Sequence, residues 1–193
     1  MNANNFGELY IILNNRKKIL EFEYIGNILL CIILYIFFIT GNFNTGIIFT
    51  LVTSIIMFLC INSAIKKYAL FKKRVKYMES LLKNDIQPIS IEIKDAIYNS
   101  QKESIQLKNY YIDIKNCTFV KYTDVINILK KMSLNILPPN YGLIQYIRLN
   151  TKQNVELDVI NWSFSRLFPE DDEIYNILNR NCSNASPKKN NTK

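Results

Sequence analysis

The sequence has no histidine, and its cysteines, at positions 31, 60, 117 and 182, form no CxxC pair. Histidine is the usual general base of enzymes and, with cysteine, the usual ligand of zinc, so catalytic triads and zinc or iron–sulfur sites are excluded. Glycine-rich phosphate-binding motifs and the HExxH and GxSxG signatures are also absent. The sequence therefore predicts no catalytic residues, no metal site, no cofactor and no disulfide, and we expect the protein not to be an enzyme.

Charge is missing from two long stretches of the chain, residues 24–40 and 46–65. At about 1.5 Å per residue, helices of these lengths cover most of a hydrocarbon core that is about 30 Å thick. The alternatives are buried helices of a soluble protein and a secretory signal peptide followed by a core helix. A signal peptide needs a cleavage site of small residues that Phe38–Gly41 does not supply. The two stretches therefore predict a pair of transmembrane helices.

The segment between the two stretches, Gly41–Gly46, is short and uncharged, and its glycines and asparagines favour a chain reversal. Residues 24–65 are thus predicted to form an antiparallel transmembrane hairpin. Basic residues flank the hairpin on both outer sides, at 16–18 and at 66–67, whereas the linker has none. The positive-inside rule then places both termini in the cytoplasm, and we expect a multi-pass protein of the cell (plasma or inner) membrane.

The formal net charge of +8 is concentrated directly after the second apolar stretch and in the polar tail, residues 183–193, which we predict to be disordered. The predicted anionic-lipid contacts are Lys66, Lys67, Lys72, Lys73, Arg74 and Lys76. Anionic headgroups attract basic residues placed there, although a topology signal alone explains the same pattern. We expect no nucleic-acid partner, because the basic residues do not cover one face of a soluble domain.

Apolar residues recur at alternating spacings of three and four beyond the second stretch. They are Ile61, Ala64, Tyr68, Phe71, Val75, Met78 and Leu82. This seam predicts that the second span continues as one helix through a basic juxtamembrane segment, residues 66–84. Two interpretations remain open. The seam forms a homo-oligomer through residues 61–82, or it packs on its own chain against the amphipathic N-terminal segment, residues 1–23, where Leu9 and Leu13 lie on an apolar face.

Residues 85–182 show the patterns of a β-rich domain. The alternation of Ile89, Ile91 and Ile93 with polar residues predicts a half-buried strand. Further strands are predicted at 104–107 and 110–114, joined by a two-residue turn, Lys108–Asn109, and at 143–149 and 155–159. Residues 122–132 fit a strand or a short helix, and we favour the strand.

The end of this region has the pattern of a single helix. Pro138–Asn140 predicts a loop before the last strands, and a helix is predicted from Pro169 to Arg180. The acidic residues 170–173 suit the positive end of that helix, although such a cluster is also a candidate cation site. Trp162, with the nearby phenylalanines, either lines an aromatic pocket or seals the sheet against the helix.

The order of these segments is similar to that of a known class of domain. It is carried by Tyr110-Tyr-Ile-Asp-Ile, Lys121-Tyr-Thr-Asp-Val, Tyr146-Ile-Arg-Leu-Asn-Thr-Lys-Gln-Asn-Val, and Phe164 with the acidic start of the last helix. The stretch resembles the bacterial pleckstrin-homology-like domains, which often follow two membrane spans. The resemblance implies antiparallel strands closed by one C-terminal helix and a scaffold that binds peptide, lipid or a partner protein. It assigns no ligand residues.

Together these features predict a membrane α-helical hairpin followed by a cytosolic β-rich (α+β) domain. We expect a membrane-anchored binding or scaffolding protein. The alternative is a ligand-sensing membrane effector whose hairpins oligomerise and disrupt the bilayer. The spans carry polar side chains, Asn27 in the first and Thr50, Thr53, Ser54 and Asn62 in the second. Such groups prefer polar partners over lipid, but hydrogen bonds within one hairpin explain them equally well.

Overall fold

The computed structural model describes residues 6–41, 47–99, 103–135, 142–161 and 173–182. The chain divides into two compact units. We call Lys17–Lys73 the helical unit and Met1–Arg16 together with Arg74–Lys193 the sheet unit. The predicted loop at Pro138–Asn140, the tail, and residues 162–172, with the aromatic cluster and most of the acidic cluster, lie outside the described residues.

Two long helices contain both apolar stretches: α1 is Phe6–Gly41 and α2 is Ile47–Asn84. Both are long and apolar enough to cross a membrane, and only 6% and 11% of their most apolar windows are buried in the chain. Helix α2 is continuous through the segment predicted as a juxtamembrane helix, and α1 already begins at Phe6, well before the first predicted span.

Within the helical unit, aromatic side chains connect the two helices. The ring of Tyr24 on α1 lies 4.9 Å from the ring of Phe71 and 6.4 Å from that of Tyr68, measured between centroids. Phe71 is buried, and Ala64 and Cys31 are buried along the same helix pair. Phe71, a member of the apolar seam, is therefore covered by α1 of the same chain.

The strand predicted at Ile89–Ile93 is wrong. Residues Ile86–Glu92 form a short helix, α3, which a 3-10 turn, Ile93–Asp95, extends. Ile89 and Ile93 are buried but Ile91 is 67% exposed, so the apolar contacts follow a helical spacing of four rather than an alternation of two. Pro88 is compatible with this helix, because it lies in the first turn, where its missing N–H removes no helical hydrogen bond.

In the part of the chain that the structure describes, seven antiparallel strands form two sheets, which confirms the predicted antiparallel β region. The first sheet has the order β1-β2-β3-β4 and the second has the order β5-β6-β7. The strands of the first sheet are Ile97–Asn99, Ser104–Gln106, Tyr110–Asp113 and Thr118–Lys121, and those of the second are Val125–Asn135, Gly142–Thr151 and Glu156–Asn161. Each sheet is a meander, in which every strand pairs with the next one along the chain.

The turn predicted between β2 and β3 is confirmed. The N–H of Leu107 donates to the carbonyl oxygen of Tyr110 at 2.9 Å, which leaves Lys108 and Asn109 as the two loop residues. The predicted strand at 122–132 is also present, as β5, although it starts only after a 3-10 turn at Tyr122–Asp124. Strands β1 and β4 were not predicted.

The core of the sheet unit draws on both sheets and on the last helix, α4, Glu173–Asn181. Phe119, Val120, Leu149 and Leu157 are fully buried, and Leu178 of α4 is buried as well. The sheets meet where Oγ1 of Thr118 in β4 donates to the carbonyl oxygen of Asp158 in β7 at 3.2 Å. A C-terminal helix was predicted and is present.

Candidate functional site

The basic residues after the second apolar stretch all lie on α2. Five of the six predicted lipid contacts have exposed side chains: Lys66, Lys67, Lys72, Lys73 and Lys76. Arg74 differs, because it is only 8% exposed and lies on the buried side of the helix with Val75 and Met78. A buried guanidinium cannot reach a headgroup in this conformation, so the exposed set consists of the five lysines.

Lys72 is also part of a polar contact between the two helices of the helical unit. Its ammonium donates to Oε1 of Glu21 on α1, and the hydroxyl of Tyr68 donates to the same oxygen at 3.1 Å. The hydrogen bond from Lys72 lowers the pKa of Glu21, and the hydrogen bond to Glu21 raises the pKa of Lys72. The contact lies at the charged ends of the apolar stretches, where α1 and α2 are fixed to each other by charge as well as by aromatic packing.

In the sheet unit, the end of α2 is fixed to the first sheet by two polar contacts. The Tyr77 hydroxyl donates to Oδ2 of Asp124 at 3.0 Å, and Lys121 pairs with Asp85 at 2.8 Å. Burial, followed by the nearby charge of Asp124, raises the pKa of Tyr77. Burial and the charge of Asp85 likewise raise the pKa of Tyr110, whose ring lies 5.9 Å from the Lys121 ammonium. These hydroxyls therefore stay protonated and act as hydrogen-bond donors rather than as bases.

A further contact connects α3 to the β2–β3 turn. The backbone N–H of Asn109 donates to Oε2 of Glu92 at 2.9 Å, and the Asn109 side-chain amide donates to the other carboxylate oxygen. This bidentate contact fixes the two-residue turn against the helix that precedes the sheet.

The turn between β3 and β4, Ile114–Cys117, lies between two buried polar residues, Asp113 and Thr118. Asp113, at the end of β3, is buried, and its carboxylate accepts hydrogen bonds from the backbone N–H and the side-chain amide of Asn116, at 3.1 and 2.7 Å. Burial raises the pKa of Asp113 to about 6, although Asn116, Lys115 and Arg74 all favour its charged form. The turn thus holds a carboxyl group that titrates close to the physiological range.

These clusters consist of hydrogen bonds and ion pairs between groups of the same unit. Among the residues that the structure describes, no three His, Cys, Asp or Glu side chains are grouped to hold a metal ion, and Cys31, Cys60, Cys117 and Cys182 form no disulfide. The carboxylates at Asp85, Asp113 and Asp124 are each engaged by a side chain of their own unit. The arrangement is suited to holding helices and sheets together.

Sequence reasoning found the exposed lysines but missed the polar contacts in the sheet unit. The aspartate–asparagine pair at 113 and 116 has the spacing of a side-chain-capped turn and could have identified the β3–β4 turn. The partners of Tyr77 and Asp85 are 47 and 36 residues away along the chain, so no local pattern indicates them.

We compared the chain with protein-family models, with curated protein sequences and with solved structures, and none of the three comparisons found a significant match.

Proposed function

We propose that this protein is a membrane-anchored binding or scaffolding protein of the cell membrane, in which two spans hold a pleckstrin-homology-like domain at the cytoplasmic face. The observation that carries the proposal is the exposure of the apolar helices. Large apolar side chains of α1 and α2, among them Ile33, Phe37, Ile55 and Phe58, are exposed in the chain. A contiguous apolar surface of this extent is unfavourable in water and must be buried. Lipid is the environment that suits two uncharged helical stretches.

Three features support a pleckstrin-homology-like sheet unit. A meander of four strands is followed by a meander of three, and among the described residues one helix, α4, comes after the last strand. The helix contributes Ile174 and Leu178 to the core. This is the order of elements that the sequence resemblance implies. A domain of this kind acts by binding partners on its surface and not by catalysing a reaction.

The orientation rests on the exposed lysines. Lys66 and Lys67 follow the second apolar stretch with their side chains exposed, and Lys18 precedes the first. Basic residues near the ends of spans are retained in the cytoplasm, so this distribution supports cytoplasmic termini. The same lysines supply about 1 kcal/mol each of attraction to an anionic leaflet.

Extraction of membranes tests the anchoring. The full chain is produced in bacteria, membranes are collected and then washed in alkaline carbonate, which releases peripheral proteins. We expect the chain to stay in the pellet until detergent is added. Release by carbonate, or recovery of most of the chain in the soluble fraction, would refute the membrane-anchored function.

A second function, the ligand-sensing effector, is favoured by two exposed polar side chains. Asn27 on α1 and Asn62 on α2 lie within the apolar stretches and are exposed in the single chain. Amides that face lipid favour hydrogen bonds with a neighbouring helix, which a second copy could supply. Membrane potential recorded on induction separates the two functions. Depolarisation that disappears in the Asn27→Leu, Asn62→Leu double variant supports the effector, and an unchanged potential supports the scaffold.

A further inference from the structure

The sheet unit has two connections to the membrane helices, and the β3–β4 turn contacts the one on α1. The sheet unit ends at Arg16 on α1 and resumes at Arg74 on α2, so the chain enters the helical unit after Arg16 and leaves it before Arg74. Nε of Arg16 donates to the carbonyl oxygen of Lys115 at 2.9 Å. Arg74 lies close enough to Asp113 to stabilise its negative charge. The turn therefore contacts the α1 connection, and Asp113, directly before the turn, interacts by charge with the α2 connection.

A second contact fixes α1 to the same turn. The thiol of Cys117 donates to the carbonyl oxygen of Leu13 at 3.6 Å, and both side chains are fully buried. Cys117 has a φ of 48°, in the left-handed region that non-glycine residues rarely adopt. Such a conformation persists only where surrounding contacts hold it, which here include the Asp113–Asn116 hydrogen bonds.

Two buried charged residues interact beside the turn, and one of them has a polar atom without a hydrogen bond in the described part of the chain. Asp113 and Arg74 are both buried, and Nε of Arg74 has no hydrogen-bond partner among the described residues. The charged groups that act on Asp113 are Lys115, on the turn itself, and Arg74, on α2. Both are cations and stabilise the carboxylate, but the free-energy cost of removing the carboxylate from water is larger than this stabilisation. The closed turn therefore favours the protonated carboxyl group.

We propose that the β3–β4 turn is a latch that holds the N-terminal segment of α1, residues 6–16, to the first sheet, and that negative charge on Asp113 loosens it. The proposal goes beyond the scaffolding function, because it assigns to the first sheet a means of changing its hold on the segment of α1 that belongs to the sheet unit. Protonation, or a ligand that neutralises the carboxylate, tightens the latch.

The direction of the pH effect follows from linkage. The pKa of Asp113 is raised from its ordinary value of 3.8 to about 6 in the closed turn, so closure takes up a proton between those values. A raised carboxyl pKa means that closure is favoured most at low pH and becomes weaker as pH rises towards 6, with no further change well above it.

Labelling of a single thiol measures the opening of the latch. In the full chain in detergent, Cys31, Cys60 and Cys182 are replaced by alanine, which leaves the buried Cys117 as the probe. The maleimide labelling rate of the native protein is divided by the rate in denaturant at the same pH, which removes the titration of the thiol itself. We expect this ratio to rise about tenfold from pH 5.0 to pH 7.5, the factor given by pKa values of 3.8 and about 6.

Two variants distinguish the latch from a general loosening of the fold. Asp113→Asn keeps the shape and removes the charge, so its ratio should be low and independent of pH. Arg74→Gln removes a cation that favours the charged carboxylate, so its pH dependence should extend to higher pH. A labelling ratio that does not change with pH in the parent protein would overturn the proposal. An equal pH dependence of the ratio in Asp113→Asn would also overturn it. Because labelling is done in detergent, neither result depends on whether the anchoring function is correct.

Discussion

The helical unit and the sheet unit place their apolar side chains in opposite ways. In the helical unit, Ile33, Phe37 and Phe58 are exposed, whereas in the sheet unit the large apolar residues of the strands, such as Phe119 and Leu157, are fully buried. Polar contacts differ too, because the sheet unit buries the carboxylate of Asp113 and the helical unit buries no charged residue among those described. The difference is what the proposed membrane anchor requires, in which lipid surrounds the first unit and water surrounds the second.

The largest expected effect is the loss of a buried ring from the sheet unit. Phe119→Ala should lower the free energy of unfolding of that unit by about 3–5 kcal/mol, because the cavity adds to the lost burial. Phe37→Ala, in the exposed part of α1, should leave it unchanged. Denaturant unfolding in detergent, followed by near-ultraviolet dichroism, measures both variants. Equal losses would show that the two units share one core.

The next effect concerns the apolar seam. Phe71 is buried against Tyr24 of its own chain, so Phe71→Lys should destabilise the helix pair by about 3 kcal/mol or more while the mass in detergent stays that of the parent. The homo-oligomer through residues 61–82 remains a prediction. If it forms, the parent protein is an oligomer in detergent and Phe71→Lys makes it dissociate. Light scattering in detergent separates the two, with Lys73→Glu, on the exposed side of α2, as the control.

A matched pair of exposed isoleucines tests the two solvents. Ile33 in α1 is 61% exposed and Ile97 in β1 is 66% exposed, so by accessibility the two positions are alike. A lysine at the centre of a membrane span costs about 2.5–3.5 kcal/mol, whereas on a wet surface it costs almost nothing. Ile33→Lys should therefore reduce membrane insertion by about a hundredfold and Ile97→Lys should not. Full insertion of both variants would contradict lipid around α1.

The smallest effect comes from the lysines. Lys73→Glu should weaken the attraction to an anionic leaflet by about 1 kcal/mol or more, because a favourable charge is reversed beside the headgroups. Energy transfer from a labelled anionic lipid in mixed vesicles measures the enrichment around the protein. Lys152→Glu, in the exposed β6–β7 turn, is the control of equal charge change. The same decrease in both variants would assign the effect to net charge rather than to the juxtamembrane helix.

The sequence predicted best where a pattern is local and strong. Uncharged stretches predict the long helices, and alternation with a two-residue turn predicts the β2–β3 hairpin, because these signals need no partner elsewhere in the chain. Strand β4 was missed since Thr118, Phe119 and Val120 are all buried and leave no alternation to detect. The isoleucines of Ile89–Ile93 fit both the two-residue period of a strand and the helical spacing of four. Only the burial of Ile89 and Ile93 in the folded chain shows that the helical spacing applies.

The polar contacts of the sheet unit were beyond sequence reasoning for a different reason. The partners Tyr77–Asp124 and Arg16–Lys115 are brought together by the fold, and either member alone reads as an ordinary surface residue. The β-rich domain predicted from residue 85 onward is only a part of the sheet unit. The sheet unit also includes Met1–Arg16 and the helix end from Arg74 onward, whose Leu9, Leu13 and Met78 are buried.

The topology of the hairpin tests the central claim most directly. Single cysteines are placed at Asn44, in the linker, and at Lys193, in a chain whose four native cysteines are replaced, and intact cells are treated with a membrane-impermeant maleimide. We predict labelling at position 44 in intact cells and at position 193 only after the membrane is opened. Labelling of position 193 in intact cells, or protection of position 44 until the membrane is opened, would contradict a two-span anchor with both termini in the cytoplasm.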